Sequence, residues 1–241
     1  MKHIGILAHS FEGATLCFRT ACLEGVQRLG EHMHPEITMT CSPMALVLDA
    51  WERGEHSHLH ALFAKDAARL AAASADFFVC PDNTAHIALE SEGAQFPLPG
   101  LNIGEVVAEE AQRLGFSKVG ILGTKFTMTG PVYPGAFGRR AIDWAVPSEA
   151  DRSIVNAIIF GELCLGVLRA ESRDTYVRVI EKMVGDGCDA VALVCTEIPL
   201  LISAEVSPLP ILDSTRLLAC AAVEVAIGER PMPVWQGGPL G

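Results

Sequence analysis

Apolar residues in this chain fall in short runs that alternate with longer stretches of helical spacing. His3–Ala8 reads as a strand and Thr15–Leu29 as a helix. Ile37–Cys41 reads as a second strand, Leu59–Ala73 as an Ala-rich helix and Phe77–Cys80 as a third strand. The spacing predicts a helix over Glu105–Leu114, with Gly115 just past its end as a stop signal. Lys118–Leu122 is a strand, Arg173–Val184 a helix and Ala190–Val194 a strand. Ile211-Leu212 is a short strand before a closing helix, Ser214–Ala226. Strict alternation of strands and helices implies parallel strands joined by crossover helices. The strand runs lack period-two alternation, which fits strands buried on both faces.

Two internal echoes point to duplication. Ile4-Gly5-Ile6-Leu7 recurs as Val119-Gly120-Ile121-Leu122, an offset of 119 − 4 = 115. Ala75-Asp76-Phe77-Phe78-Val79 recurs as Cys188-Asp189-Ala190-Val191-Ala192, an offset of 188 − 75 = 113. Two echoes in the same order at nearly the same offset predict two similar α/β lobes. The first covers residues 1–102 with 213–241, its closing helix packing back on it, and the second covers 103–212.

Continuing past the second echo selects candidate chemistry. Asp76-x5-Asp82-Asn83-Thr84 matches Asp189-x5-Cys195-Thr196-Glu197. Each lobe therefore ends a strand with a basic or nucleophilic side chain followed by hydrogen-bonding residues. Ligands of open α/β sheets bind beyond the carboxyl ends of strands. Asp82 and Cys195 are thus expected at equivalent places facing one cleft, where two opposed groups can take a proton from one side of a carbon and return it to the other. Asn83 and Thr84 are expected to cap the helix through His86–Ser91, and Thr196 the turn Glu197–Leu201. The helix-start charge is expected to lower the Cys195 thiol from about 8.5 toward neutrality and give a thiolate. Ser10, with Glu12-Gly13, and Thr124 end the matching first strands and are candidates for carboxylate contact; ordinary turn roles suit them equally. Asp82 also suits a plain helix cap, and His86 a packing role.

Charge and composition narrow the classes. The 241 residues carry 18 Lys plus Arg against 29 Asp plus Glu, a net charge of −11, which argues against a nucleic-acid or anionic-membrane partner. No stretch approaches the ~20 apolar residues of a membrane-spanning helix. Met1-Lys2-His3 leads into an apolar run too short for a signal core, so a soluble cytoplasmic protein is expected. The eight cysteines lie at 17, 22, 41, 80, 164, 188, 195 and 220 without zinc-site spacing; they are expected to be reduced, and most of them buried. His56-x-His58-x-His60 lacks a carboxylate or Cys partner at fixed spacing, so no metal is assigned. No GxGxxG or GxxxxGK[ST] occurs, and no cofactor is implied. The stretch Thr127–Pro134, with Gly130-Pro131 and Tyr133-Pro134, reads as a breaker-rich turn suited to a lid.

Cys80-Pro81-Asp82-Asn83-Thr84-Ala85-His86 and Val194-Cys195-Thr196-Glu197-Ile198 resemble the signatures of the aspartate/glutamate racemase family, a cofactor-independent superfamily. It also holds hydantoin racemases, maleate isomerases, arylmalonate decarboxylases and algal-type dimethylsulfoniopropionate lyases. Ile4-Gly5-Ile6-Leu7, Leu122-Gly123-Thr124 with Thr127-Met128, and Leu212-Asp213-Ser214-Thr215-Arg216 extend the likeness over nearly the whole chain. The resemblance implies two Rossmann-like lobes with parallel sheets related by a pseudo-twofold, an active site in the cleft between them, a homodimer and a small carboxylate substrate. In the family's racemases a cysteine precedes the Asn-Thr of the first signature and another precedes the Thr-Glu of the second. The second carries over to Cys195. The first does not, because Asp82 stands there and Cys80 lies two residues earlier. Ser42–Asp49 holds no Arg, and Cys164 stands where some members have Lys; Arg169 is the nearby substitute.

Three functions follow. The first is a cofactor-independent amino-acid racemase or epimerase using Cys195 and Asp82, with substrate held by Ser10, Asn83, Thr84, Thr124, Thr196 and Glu197. The second is a single-thiol lyase or decarboxylase on the same scaffold, such as a C–S lyase of dimethylsulfoniopropionate. The third is a two-lobe binding module without catalysis.

Overall fold

The computed structural model describes residues 1–236; the last five residues of the stretch assigned to the first lobe lie outside the described residues. The alternation seen in the sequence builds β1 (Ile4–Ala8), α1 (Phe11–Leu29), β2 (Ile37–Cys41), α2 (Ala45–Glu52), α3 (His56–Ala72), β3 (Phe77–Val79), α4 (Ala85–Leu89) and β4 (Gly100–Leu101). It continues with α5 (Ile103–Leu114), β5 (Lys118–Gly123), α6 (Lys125–Thr129), α7 (Val132–Gly138), β6 (Asp143–Ala145), α8 (Glu149–Gly161) and α9 (Ala170–Gly185). The chain closes through β7 (Ala190–Val194), α10 (Ile198–Leu201), β8 (Ile211–Asp213) and α11 (Ser214–Ile227). Two units result: Met1–Ile103 with the segment from Thr215 on, and Gly104–Ser214.

Each unit holds a four-stranded sheet, ordered β2-β1-β3-β4 in the first and β6-β5-β7-β8 in the second. All strand pairs within the two sheets are parallel. The echoed segments are the two central strands of each sheet, β1 with β3 and β5 with β7. Every residue of β1, β3 and β7 is buried, as expected for strands covered on both faces.

The echoes recur for physical reasons. Asp76 accepts the His3 backbone N–H at 2.7 Å, and Asp189 accepts those of Ser117 and Lys118 at 2.7 and 3.1 Å. Each carboxylate thus ties the start of one central strand to the start of the next. Gly5 and Gly120 let a helix approach the sheet. A Cβ at Gly5 would sit 3.1 Å from Leu70 Cδ1 of α3, and one at Gly120 would sit 2.7 Å from Met183 Sδ of α9. At both places a Cβ would force the facing side chain to shift.

α11 belongs to the first unit. The Lys2 N–H donates to Ala226 O at 2.8 Å, and Arg28 of α1 pairs with Glu224 and Glu229. The Gly115 stop is present: its φ is +76°, and the Phe116 N–H reaches back to Ala111 O at 3.0 Å, a helix-ending pattern that needs a left-handed residue.

Three expectations change. Thr127–Pro134 is no lid-like turn: it lies in α6 and α7, with Thr127, Met128, Val132 and Tyr133 buried. Pro131 sits at the N-cap of α7, where its missing N–H costs no helical bond. The short strands β4 and β6 and the helices α2 and α8 went unread; β4 has two residues, and β6 is a three-residue edge strand. Half rather than most of the cysteines are buried: Cys17, Cys80, Cys188 and Cys195. Among the described residues no helix is long and apolar enough to cross a membrane.

Candidate active site

In the second unit, β7 delivers Cys195, Thr196 and Glu197 at its carboxyl end, and the neighbouring β5 delivers Thr124. All four are buried, Cys195 with 6 % exposure and Glu197 with 2 %. Thr124 caps α6, accepting the Thr127 N–H at 3.2 Å. The Cys195 Sγ–H donates to Glu197 Oε2 at 2.9 Å. This reverses the expected electrostatics. Burial, and then the Glu197 carboxylate beside it, push the Cys195 thiol well above its ordinary range. The resting group is a thiol facing a carboxylate, not a thiolate. A helix start cannot offset this, since α10 is one turn long and no side chain caps it. Thr196, expected as that cap, is instead a buried side chain in the turn before it.

In the first unit, β1 leads into Ser10 and the adjacent β3 into Asp82, Asn83 and Thr84. Ser10 caps α1, accepting the Gly13 N–H at 3.4 Å. Asn83 and Thr84 are buried and Asp82 half-buried. Thr84 is the N-cap residue of α4 but makes no side-chain cap bond; Asp82 Oδ1 accepts the Ala85 N–H at 3.1 Å instead. Cys80 is fully buried, and burial followed by the nearby Asp82 charge pushes its thiol well up.

His86 is a structural residue beneath this turn. Its Nδ1–H donates to Asp82 O at 2.9 Å, and its Nε2 accepts the Ile103 N–H at 3.1 Å. That pairing requires the neutral ring, and burial lowers its pKa to about 4. Trp235 stacks on the ring at 5.2 Å. An unfolded chain takes up this proton near pH 6.5, the folded chain only near pH 4, so stability held above about pH 6.5 drains as pH falls through that window. The full loss is about 3 kcal/mol. Urea midpoints at about pH 7 and about pH 4.5 should therefore separate more in the wild type than in His86→Asn. Equal separation would refute the assignment.

The other candidates are dispersed. His60 is buried, with Nδ1 3.1 Å from Ala88 O and Nε2 2.9 Å from Ala94 O, and it clamps α3 to the segment after α4. Among the described residues no group of three or more His, Cys, Asp or Glu is arranged to hold a metal ion. Arg169 is exposed, with Nε 3.8 Å from Glu162 Oε1, and Cys164 is half-buried. The sequence reading missed two things. One is that Glu197 touches the Cys195 sulfur, for which the i, i+2 spacing was the available signal. The other is buried His9, which lies between the first strand and Ser10 and was not singled out.

Residues 7–222 match the model of the Asp/Glu/hydantoin racemase family. The chain is similar, at 30 % identity and a TM-score of 0.83, to a crystal structure from Yersinia pestis described as a candidate Asp/Glu racemase, over 94 % of this chain and 100 % of that one. An aspartate racemase homologue from Pyrococcus horikoshii is 25 % identical with a TM-score of 0.76, over 94 % of this chain and 100 % of that one. The aspartate racemase of Picrophilus torridus, 23 % identical over 94 % of both chains, shares the fold with a TM-score of 0.77. The family match spans most of the chain, and the two parallel four-stranded sheets are those of Asp/Glu racemase structures. The chain therefore belongs to the Asp/Glu/hydantoin racemase family.

Proposed function

We propose that this protein is an amino-acid racemase or epimerase that moves the Cα hydrogen with its own side chains and no cofactor. Cys195 serves one face of Cα and Asp82 the other. The observation that carries the reading is the Cys195–Glu197 contact of 2.9 Å at the end of β7, with Asp82 at the matching turn after β3.

Glu197 gives the buried sulfur somewhere to place its proton. In one direction the Sγ proton passes to Glu197, the thiolate takes the Cα hydrogen, and a protonated Asp82 supplies a proton to the opposite face. In the other direction the Asp82 carboxylate takes the hydrogen and the Cys195 thiol supplies one. Charge developing on the substrate carboxylate is met by fixed donors, the reason such sites work better than water. Ser10, Asn83, Thr84, Thr124 and Thr196 are the residues proposed to supply them.

A second reading, the single-thiol lyase or decarboxylase, is favoured by one feature: Cys80 is sealed in the core, leaving Asp82 where a second thiol would stand. The variant Asp82→Asn separates the two. A racemase should lose interconversion by about 100-fold while Cys195 still exchanges the Cα hydrogen of one enantiomer with solvent deuterium. Release of carbon dioxide or an eliminated fragment, or unchanged interconversion, would overturn the racemase assignment.

A further inference from the structure

α4 is five residues long, too short to hold its shape alone, so its place depends on what packs against it. Its place matters to Asp82. The Ala85 N–H that opens the helix fixes the Asp82 carboxylate, and His86, one residue on, fixes the Asp82 main-chain oxygen. The groups that hold α4 in turn come from the last described residues of the chain. Trp235 stacks on the His86 ring at 5.2 Å between centroids and 7° from parallel. The Gln236 Nε2–H donates to Leu89 O, on the last residue of α4, at 2.5 Å.

The tail is itself anchored. The Gly100 N–H donates to Trp235 O at 2.8 Å, an antiparallel bridge beside β4 at the edge of the first sheet. Trp235 also meets Phe78 of β3 at 6.0 Å, Phe78 meets Phe96 at 5.7 Å, and Phe96 meets His60 at 5.0 Å. A row of five rings therefore runs from His60 on α3 to His86 on α4, with Trp235 between Phe78 and His86. Gly100 leaves room for this row, since a Cβ there would fall 2.6 Å from Phe78 Cζ. Both His86 nitrogens are engaged, with Asp82 O and the Ile103 N–H, so the ring cannot turn without losing a bond. A group that removes a hydrogen from carbon tolerates little misplacement, and small shifts in a supporting residue cost rate.

We propose that Trp235, aided by Gln236, is a positioning residue for Asp82: it holds His86 and α4, and through them sets where the Asp82 carboxylate stands. That Asp82 does chemistry rests on the racemase reading; that the tail holds its turn does not, and the test keeps the two apart. Trp235→Leu keeps an apolar side chain and loses the ring stack. Amide hydrogen exchange read by NMR should speed up about tenfold or more at Ala85, Ile87 and Glu90, with β7 of the other unit unchanged. With an amino acid that the protein turns over, kcat should fall about tenfold and KM stay within about twofold. The primary isotope effect should grow only in the direction in which Asp82 takes the hydrogen. Trp235→Phe can still stack and should recover most of both losses. Gln236→Ala should loosen the same amides by a smaller factor, and it decides the matter if Trp235→Leu does not fold. Unchanged exchange at those amides, equal loosening of both units, loosening with full activity, or a phenylalanine variant no better than the leucine one would overturn the proposal. A wild type that exchanges Cα of no amino acid sinks the racemase reading, and the amide signals then decide alone whether the tail holds the Asp82 turn.

Discussion

Cys195→Ala is expected to abolish solvent exchange at Cα for both enantiomers, a loss of about 10⁴-fold in turnover. In the proposed mechanism the sulfur takes and gives the Cα hydrogen on one face, and alanine can do neither. The effect is specific to chemistry because the side chain is small and buried. Removing one sulfur from a packed site costs stability on the scale of a small cavity, about 1–2 kcal/mol, so the variant should fold. Cys195→Ser refines the test: an alcohol keeps the hydrogen bond to Glu197 but is far harder to ionise, and it should be almost as inactive. Turnover in Cys195→Ala within about tenfold of the wild type would remove the thiol from the mechanism.

The second large effect is expected at Glu197. Burial and a neighbouring carboxylate both disfavour a Cys195 thiolate, so a thiolate arises only if Glu197 takes the proton. Glu197→Gln keeps the volume and an acceptor oxygen but cannot hold that proton at ordinary pH. Abstraction by the sulfur should fall about 100-fold, while donation by the thiol should suffer less. The two directions of interconversion should therefore become unequal in their primary isotope effects. At equilibrium the ratio of enantiomers stays fixed, since no variant can alter it. Equal, small losses in both directions would reassign Glu197 to packing or substrate contact.

Much of the fold was legible because its causes are local. The strands of the echoes are continuous apolar runs, and such runs have few alternatives once helical stretches flank them. The echoed aspartates, Asp76 and Asp189, turned out to fasten strand starts rather than to do chemistry, yet they marked the register that led to Asp82 and Cys195. What escaped the sequence depends on spatial neighbours. The thiolate expected at Cys195 failed because the helix-start argument considers only the chain ahead, whereas the burial and the Glu197 oxygen were set by folding. The α4 cap bond expected of Asn83 and Thr84 is made by Asp82, whose carboxylate reaches the Ala85 N–H from three residues back. The pairing of His9 with Asp66 joins residues far apart in sequence, and no spacing rule would find it. The apparent lid at Thr127–Pro134 is made of two short helices because proline at the start of a helix is no breaker.

The central claim is that side chains alone exchange the Cα hydrogen of an amino acid. Its most direct measurement is incubation of the purified protein with single enantiomers of amino acids in D₂O, without added cofactor, read by proton NMR and chiral chromatography together. The account predicts that at least one amino acid acquires deuterium at Cα in step with appearance of its mirror image. Deuterium uptake by none of them would contradict it, as would consumption of substrate to a smaller product with no mirror image formed.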